Sequence, residues 1–549
     1  MSKAVFKDYN QGQGCLFPMR LEDKIPEAAP VRLVNQIVDQ LDISGVINTY
    51  KGGGTSAYSP RMMLKLVIYA YLNNIYSCRK IEKQNLENIH YMWLSGMQTP
   101  DHNTINTFRS SHLKDTINQI FTQVVMLLSD MGYLSLDLVY VDGTKLESRA
   151  NRYTFVWKKT VEKNKAKLEA KIQTVLEQIE AGIAQDNQPD DEPPAPINSE
   201  ELKKRILEIN REKLSKENKK GVKTLENKYL PKLEEYEEHL KILGNRNSYS
   251  KTDPDATFMR MKDDHMKNGQ LKPAYNVQIG TENQFYTHFD FYPNPTDFLT
   301  FIPFNKGFKE RYNQLPKKEV ADSGYGSEEN YEYLQNNDIE AYVKYPFFHA
   351  EQKKKYRNNA FIAQNLFYNR EKDYFVCPMG QHMEKVGAST RTSESGYVSY
   401  LTVYQAKNCT GCPLKCLCHK AKGNRQIETN HKLNEYRKKA RELLTSEEGL
   451  IHRSRRPIEP EAVFGQTKAD KQYFRFRHFD LDKVKMDFAI FAVAFNIGKL
   501  YNKPKITSKN KEKSSFFDKN TLVFVLLLIF VRKESVSKNF FFPIRRCAA

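Results

Sequence analysis

The sequence predicts an α/β protein: a mixed-sheet core with a helical domain ahead of it and two insertions, one helical and one β-rich. Three observations carry this. Two short β-branched or apolar runs, Leu136 to Asp142 and Lys318 to Asp322, each end on an aspartate, as a buried strand delivers a carboxylate to a sheet edge. The third is the phrase I-E-P-E-A-V-F-G-Q-T-K, Ile458 to Lys468, which reads as a helix start with Lys468 seven residues after Glu461. On an α-helix that spacing is two turns, about 10 Å along one face. Three carboxylates and a lysine gathered this way suit a site that holds divalent metal against phosphate.

Val31 to Leu41 carries an apolar stripe, and Pro60 opens a helix through Met63, Leu66, Val67, Ala70 and Tyr71. Ser77 is placed to cap a helix with Ile81 on its inner side, and Asp101 another through Ile105, Phe108 and Leu113. Residues 158 to 183 set Val161, Leu168, Ile172, Val175, Leu176 and Ile179 among many charges, a narrow amphipathic stripe. After a Pro- and Asp-rich break from Asp186 to Pro196, Asn198 and Glu201 form a capping box. Leu225, Tyr229, Leu233, Tyr236, Leu240 and Leu243 continue the pattern, so this region predicts an antiparallel helical hairpin or small coiled coil with a solvated charged face.

Strands resume at Ala274 to Ile279 and Phe285 to Tyr292, followed by a helix near Asp297 to Tyr312 and then the strand ending at Asp322. Between Asp322 and Glu461 lie 138 residues, more than one crossover helix requires. A second insertion, β-rich and cysteine-bearing from Asp373 to Cys418, fills that interval. Asp482 to Tyr501 closes the core as a helix through Val484, Phe488, Phe491, Phe495 and Leu500.

A chain of 549 residues with 40% apolar content supports two to four domains. Its net charge of +19 favours a polyanionic partner, and although the last residues are strongly basic, the body is basic as well. Met1 to Gly14 has no apolar signal region, and the apolar stretch Leu522 to Val531 is about half of what a bilayer-spanning helix needs. The expectation is a cytoplasmic protein acting at the bacterial nucleoid, with no membrane partner.

Several phrases recur in a known order: Y-S-P-R-M-M-L-K-L at 58–66, P-D-H-N-T-I-N-T-F-R at 100–109, V-D-G-T-K-L-E-S at 141–148, T-D-P-D-A at 252–256, Y-N-V-Q at 275–278, A-D-S-G-Y at 321–325 and the Glu461 phrase. From about residue 15 to about residue 502 the chain resembles the DDE transposases of bacterial insertion sequences, in the IS-eleven-eighty-two group, whose catalytic core is RNase H-like. Strand, long excursion, hairpin, helix and strand is the order such a sheet requires.

The resemblance implies a division at 1–130 (helical, DNA-binding), 131–157 (first part of the core), 158–247 (helical hairpin) and 248–345 (second part of the core). It continues with 346–445 (β-rich, with a possible zinc ribbon), 446–503 (last part of the core with the catalytic glutamate) and 504–549 (a basic tail without counterpart). It implies metal-dependent cleavage and strand transfer at the element's ends. The partners it implies are double-stranded DNA, both end repeats and target, and a second copy in a synaptic homodimer.

The same resemblance assigns Asp142 as the ligand bridging two Mg²⁺ ions, Asp322 as a ligand to one and Glu461 as a ligand to the other. Lys468 would touch a phosphate near the cut or the terminal base pairs. Glu459, two residues before Glu461, is the competing glutamate. The related signature has a Tyr and an Arg seven and four residues before the Glu, where this chain has Ser454 and Pro457; Arg453, Arg455 and Arg456 are close enough to supply the charge. Arg455, Arg456 and, in the helical domain, Arg109 are expected DNA contacts. Asp264 and Asp297 read as helix caps or surface charges.

Cys377, Cys409, Cys412 and Cys418 are the best four ligands for a structural Zn²⁺, with His382 and His419 adjacent and Cys416 in excess. The alternative is free thiols in a vestigial ribbon. Cys15, Cys78 and Cys547 look isolated. Two other functions stay open: a nuclease on the same fold, which cuts without joining, and a catalytically inactive DNA-binding derivative.

Overall fold

The computed structural model describes residues 20–53, 56–183, 197–209, 215–261 and 269–503. Asp264, Cys15, Cys547, the break from Asp186 to Pro196 and the tail segment Leu522 to Val531 lie outside the described residues. The chain divides into two compact units: Met1–Leu136 with Glu282–Tyr286 and Met486–Ala549, and Asp137–Thr281 with Thr287–Lys485.

The described part of the first unit is built of helices. Pro60 takes the first position of the helix Pro60–Leu72, where its missing N–H costs nothing, and Leu66, Val67, Ala70 and Tyr71 face inward. Asp101 caps the helix His102–Thr107, its Oδ1 accepting from the Thr104 N–H at 2.6 Å. Ser77 precedes the helix Cys78–Glu87 as expected, but its hydroxyl makes no capping bond. After Thr107 the helix widens into a π-turn, Phe108–Leu113, which buries Phe108, Arg109 and Leu113.

Arg109 departs from expectation. It is 4% exposed, donates to the Tyr71 hydroxyl at 2.7 Å and to the Tyr76 carbonyl at 3.0 Å, and lies over the Tyr71 ring. Tyr71 in turn donates to the Asp487 carboxylate. Arg109 therefore balances a buried acid in the helical core, and its guanidinium is not presented to DNA.

In the second unit, β1 is Leu138–Glu147, and β2, Phe155–Trp157, forms a two-stranded sheet with β3, Ser248–Ser250. The main sheet adds β4 (Thr257–Arg260), β5 (Leu271–Glu282), β6 (Phe285–Tyr292), β7 (Lys318–Ala321) and β8 (Glu340–Val343). Its order is β4-β5-β1-β7-β8, with β6 also on β5. β1 runs antiparallel to β5 and parallel to β7, which is parallel to β8. Antiparallel strands on one side of β1 and parallel ones on the other make an RNase H-like core.

Asp142 does not end its strand. β1 continues to Glu147 along β5, whereas the ladder to β7 stops at Tyr140↔Val320. Carried two residues on, that register sets Asp142 level with Asp322, where the sheet opens between β1 and the end of β7.

Glu319 on β7 is fully buried, with Oε2 accepting from Asn305 at 3.1 Å and Oε1 left without a hydrogen bond. Burial pushes its carboxyl up to about 8. An acid raised this way binds more protons folded than unfolded, so it removes stability as pH rises from about 4.5 to about 8. Glu319→Gln should raise the unfolding free energy at pH 8 by about 4 kcal/mol, seen as a higher melting temperature, and leave it nearly unchanged at pH 5. An equal shift at both pH values would count against the assignment.

The helical insertion is more than a hairpin. Lys158–Ile183, Ser199–Glu208, Lys216–Thr224 and Leu230–Leu243 gather around Ile172, Leu176, Ile179, Leu202, Val222, Leu225 and Leu233. Asn198 caps the second helix, accepting from the Glu201 N–H at 2.8 Å. The second insertion holds a five-stranded antiparallel sheet, β9 (Phe367–Asn369), β10 (Tyr374–Val376), β11 (His382–Thr392), β12 (Val398–Ala406) and β13 (Gln426–Thr429), in the order β13-β12-β11-β10-β9.

Candidate active site

Three chain segments bring the site together. β1 delivers Asp142, 8% exposed, whose Oδ1 accepts from the Gly143 N–H at 2.9 Å. The turn after β7 delivers Asp322, held in extended backbone, its carbonyl accepting from the Tyr325 N–H at 3.1 Å. Glu461 comes from a helical run that starts at Glu447, capped by Ser446, and continues to Asp470. Glu461 is thus not at a helix start. Pro457 and Pro460 are accommodated because Pro457–Glu461 is a π-turn, as is Gln466–Asp470.

This helical run is docked on the sheet by His452. Its Nδ1 is 3.0 Å from the Tyr140 hydroxyl, two residues before Asp142, and its ring packs edge-on against Tyr342 of β8. One turn earlier, Glu448 accepts from Lys318 of β7 at 2.5 Å and from Tyr342 at 3.0 Å. The contacts to β1, β7 and β8 fix where Glu461 falls.

The three expected carboxylates meet on one guanidinium. Arg456 Nη2 lies 3.3 Å from Asp142 Oδ2, and its Nη1 lies 3.7 Å from Asp322 Oδ2 and 2.9 Å from Glu461 Oε1. The Arg456 side chain is only 7% exposed. Arginine reaches Glu461 across five residues because the π-turn lengthens the repeat; on an α-helix the residue four before Glu461, Pro457, would face it instead. The arginine missing from position −4 is supplied in space from position −5. Of the two glutamates, Glu461 is the one that shares this cation with both aspartates, while Glu459 is buried.

Burial pushes the Asp322 carboxyl up, but Arg456, the Ser323 N–H, Lys344 and His349 outweigh it and hold it below the usual carboxylate range. Lys344 Nζ stands 3.8 Å from Asp322. Burial lowers the Lys344 ammonium and the His349 imidazole, the second helped by the positive charges of Lys344 and Arg453. Lys344 is a neighbour of Asp322 that spacing in the sequence did not reveal. Arg455 is exposed on the same helical run, and Lys468 is half-buried in the second π-turn. The expected i, i+7 alignment of Glu461 with Lys468 assumed a regular α-helix, which this run is not.

Asp297 is not a cap. The helix that follows is Phe301–Tyr312, preceded by Thr300 with no side-chain capping bond, and the Asp297 carboxylate instead accepts from Asn276 at 3.0 Å and Gln278 at 2.9 Å.

The donor set fits a hard divalent cation: three carboxylates, all oxygen, around one positive charge. As folded, the guanidinium takes the central place, and no group of three or more acidic, His or Cys side chains among the described residues stands at metal-holding spacing.

In the β-rich insertion Cys377, Cys409, Cys412 and Cys418 line one cavity with His419, whose two buried ring nitrogens have no hydrogen-bond partner. Cys418 Sγ accepts from Arg425 Nη1 at 3.0 Å. Cys416 is exposed, and His382 stacks on Tyr374. Four thiols and orphaned imidazole nitrogens around one cavity fit Zn²⁺ in donor chemistry.

Two family models match the chain. Residues 376–501 match "Transposase DDE domain", a span that includes Glu461, Arg456 and the four cysteines and excludes Asp142 and Asp322. Residues 19–111 match "Transposase domain (DUF772)" in the helical unit. Both matches are to transposase domains, and together they indicate a DDE-type insertion-sequence transposase. No curated protein matches it. Among the described residues no helix is long and apolar enough to cross a membrane.

Proposed function

We propose that this transposase cleaves DNA strands at the ends of its own element and transfers them to target DNA, in a reaction dependent on divalent metal. The observation that carries the proposal is the convergence of Asp142, Asp322 and Glu461, from three separate segments, on the Arg456 guanidinium. Asp142, Asp322 and Glu461 would hold two Mg²⁺ ions, which when bound supply an activated attacking oxygen and a stabilised leaving oxygen.

The chain's own residues do the rest. Arg456 and Lys344 stand beside the carboxylates and would orient the scissile phosphate, with exposed Arg455 and half-buried Lys468 further along the same helical run contacting the backbone. The Asp322 carboxylate stays ionised at neutral pH, ready to bind a cation. Two DNA ends imply two copies of the chain, working at the nucleoid. Zn²⁺ in the cysteine cavity would fold the β-rich insertion and take no part in cutting. Protein purified without chelator should then carry about one zinc per chain by elemental analysis, and Cys412→Ser should lose most of it. Equal zinc content in both would exclude the cavity.

The deciding experiment is incubation of labelled duplex carrying the element's end with wild-type protein, in Mg²⁺ or in EDTA. Metal-dependent cuts at the end with joined products support the proposal. Cuts without joining would make the protein a nuclease, and end binding without chemistry an inactive derivative.

A further inference from the structure

A fully bonded polar network lies between the two aspartate-bearing segments. Gln278 of β5 faces Gly143 of β1 in the ladder, one residue after Asp142. Its Nε2 donates to Asn276 Oδ1 at 3.0 Å and to Asp297 Oδ1 at 2.9 Å, and its Oε1 accepts from the Tyr325 hydroxyl. Asn276 Nδ2 also donates to Asp297 Oδ1, at 3.0 Å, and to the Asn294 carbonyl at 3.0 Å. Asn276, Gln278 and Tyr325 are at most 1% exposed. Burial, then the charges of Asp297 and Asp142, push the Tyr325 hydroxyl well up, so it stays a donor.

One end of the network lies close against the backbone after Asp142, and the other closes the turn that carries Asp322. A Cβ on Gly143 would come 2.2 Å from Gln278 Nε2 and 2.8 Å from Asp297 Oδ1, so any larger residue after Asp142 would have to displace the network. Gly324, two residues after Asp322, lies beside the same carboxylate: a Cβ there would make an ordinary contact with Asp297 Oδ2, at 3.5 Å. Tyr325 closes the turn by its N–H to the Asp322 carbonyl.

We propose that Gln278, Asp297 and Tyr325 are positioning residues that set the separation of Asp142 and Asp322 for metal. This rests on the metal-dependent reading above and adds to it the part that holds the ligands apart. The two aspartates stand at one level where the sheet opens, and like charges there drift apart unless the backbone carrying them is braced. An apolar side chain would fill the same space. Only an amide with both N–H groups and its oxygen committed locks β5, the Asn294–Asp297 loop and the Asp322 turn in one geometry.

The test is Mn²⁺ binding to the full-length chain, followed by loss of the free-ion EPR signal, with thermal melting of each variant alongside. The variants are Asp142→Asn, Tyr325→Phe, Gln278→Glu, and Gln278→Glu combined with Asp297→Asn. Tyr325→Phe, which deletes one oxygen, and Gln278→Glu should each weaken Mn²⁺ binding about tenfold. The double exchange, which restores an amide facing a carboxylate, should recover most of it. Unchanged affinity in a folded Tyr325→Phe or Gln278→Glu, with Asp142→Asn still defective, would overturn the network while leaving the metal site standing. Wild type binding no better than Asp142→Asn would overturn the metal reading and the network together.

Discussion

Asp142→Asn should lower strand cleavage by about 10³-fold or more, with binding of the element's end nearly unchanged. Its side chain is 12% exposed, against 44% for Asp322 and 48% for Glu461, so water can least replace it as a ligand. Asp322→Asn and Glu461→Gln should follow in the same direction, and EDTA should match the strongest of them. Each single neutralisation still leaves Arg456 with two carboxylates, so the variants should fold and melt within a few degrees of wild type. Cleavage and joining of end-labelled duplex, measured beside a gel-shift titration, separates the effects. A folded variant that cuts at the wild-type rate removes that residue from the site.

Where Asp142 and Asp322 fall in the fold is legible because each follows a β-branched or apolar run that reads as a buried strand, and β1 and β7 are those strands. What escaped came from assuming regular periods. Arg456 was one residue out of place for an α-helical signature, and only the π-turn brings it to Glu461. Arg109 reads as a DNA contact if charge alone is weighed. Yet Ile105, Phe108, Arg109 and Leu113 share one helical face, and that spacing already places its guanidinium in the core. Asn276 and Gln278 alternate with Tyr275, Val277 and Ile279, the pattern of a strand with one wet face. In β5 both faces are buried, so the polar pair could not be solvent-facing and had to find partners. Lys344 reaches Asp322 through tertiary packing after β8, which no local pattern encodes.

Arg456→Gln should destabilise the metal-free protein and make it more responsive to metal. Without the guanidinium three carboxylates face one another across an opening in the sheet, a repulsion of about 2 to 3 kcal/mol once the half-exposure of Asp322 and Glu461 is discounted. In EDTA at pH 7 the variant should melt several degrees below wild type. Millimolar Mg²⁺ should raise the variant more than wild type, because the cation enters without displacing an arginine. The pH dependence has a definite sign. In wild type Asp322 is held low, so its contribution is complete above the ordinary carboxylate value and is lost as pH falls through its depressed one. In the variant the largest cause of that depression is gone, so acid relieves the repulsion by protonating Asp322 at higher pH than in wild type. The stability gap should therefore be widest near neutrality in EDTA and shrink toward pH 4. A gap that ignored both Mg²⁺ and pH would mean that Arg456 serves packing alone, and that the three carboxylates do not form one electrostatic site.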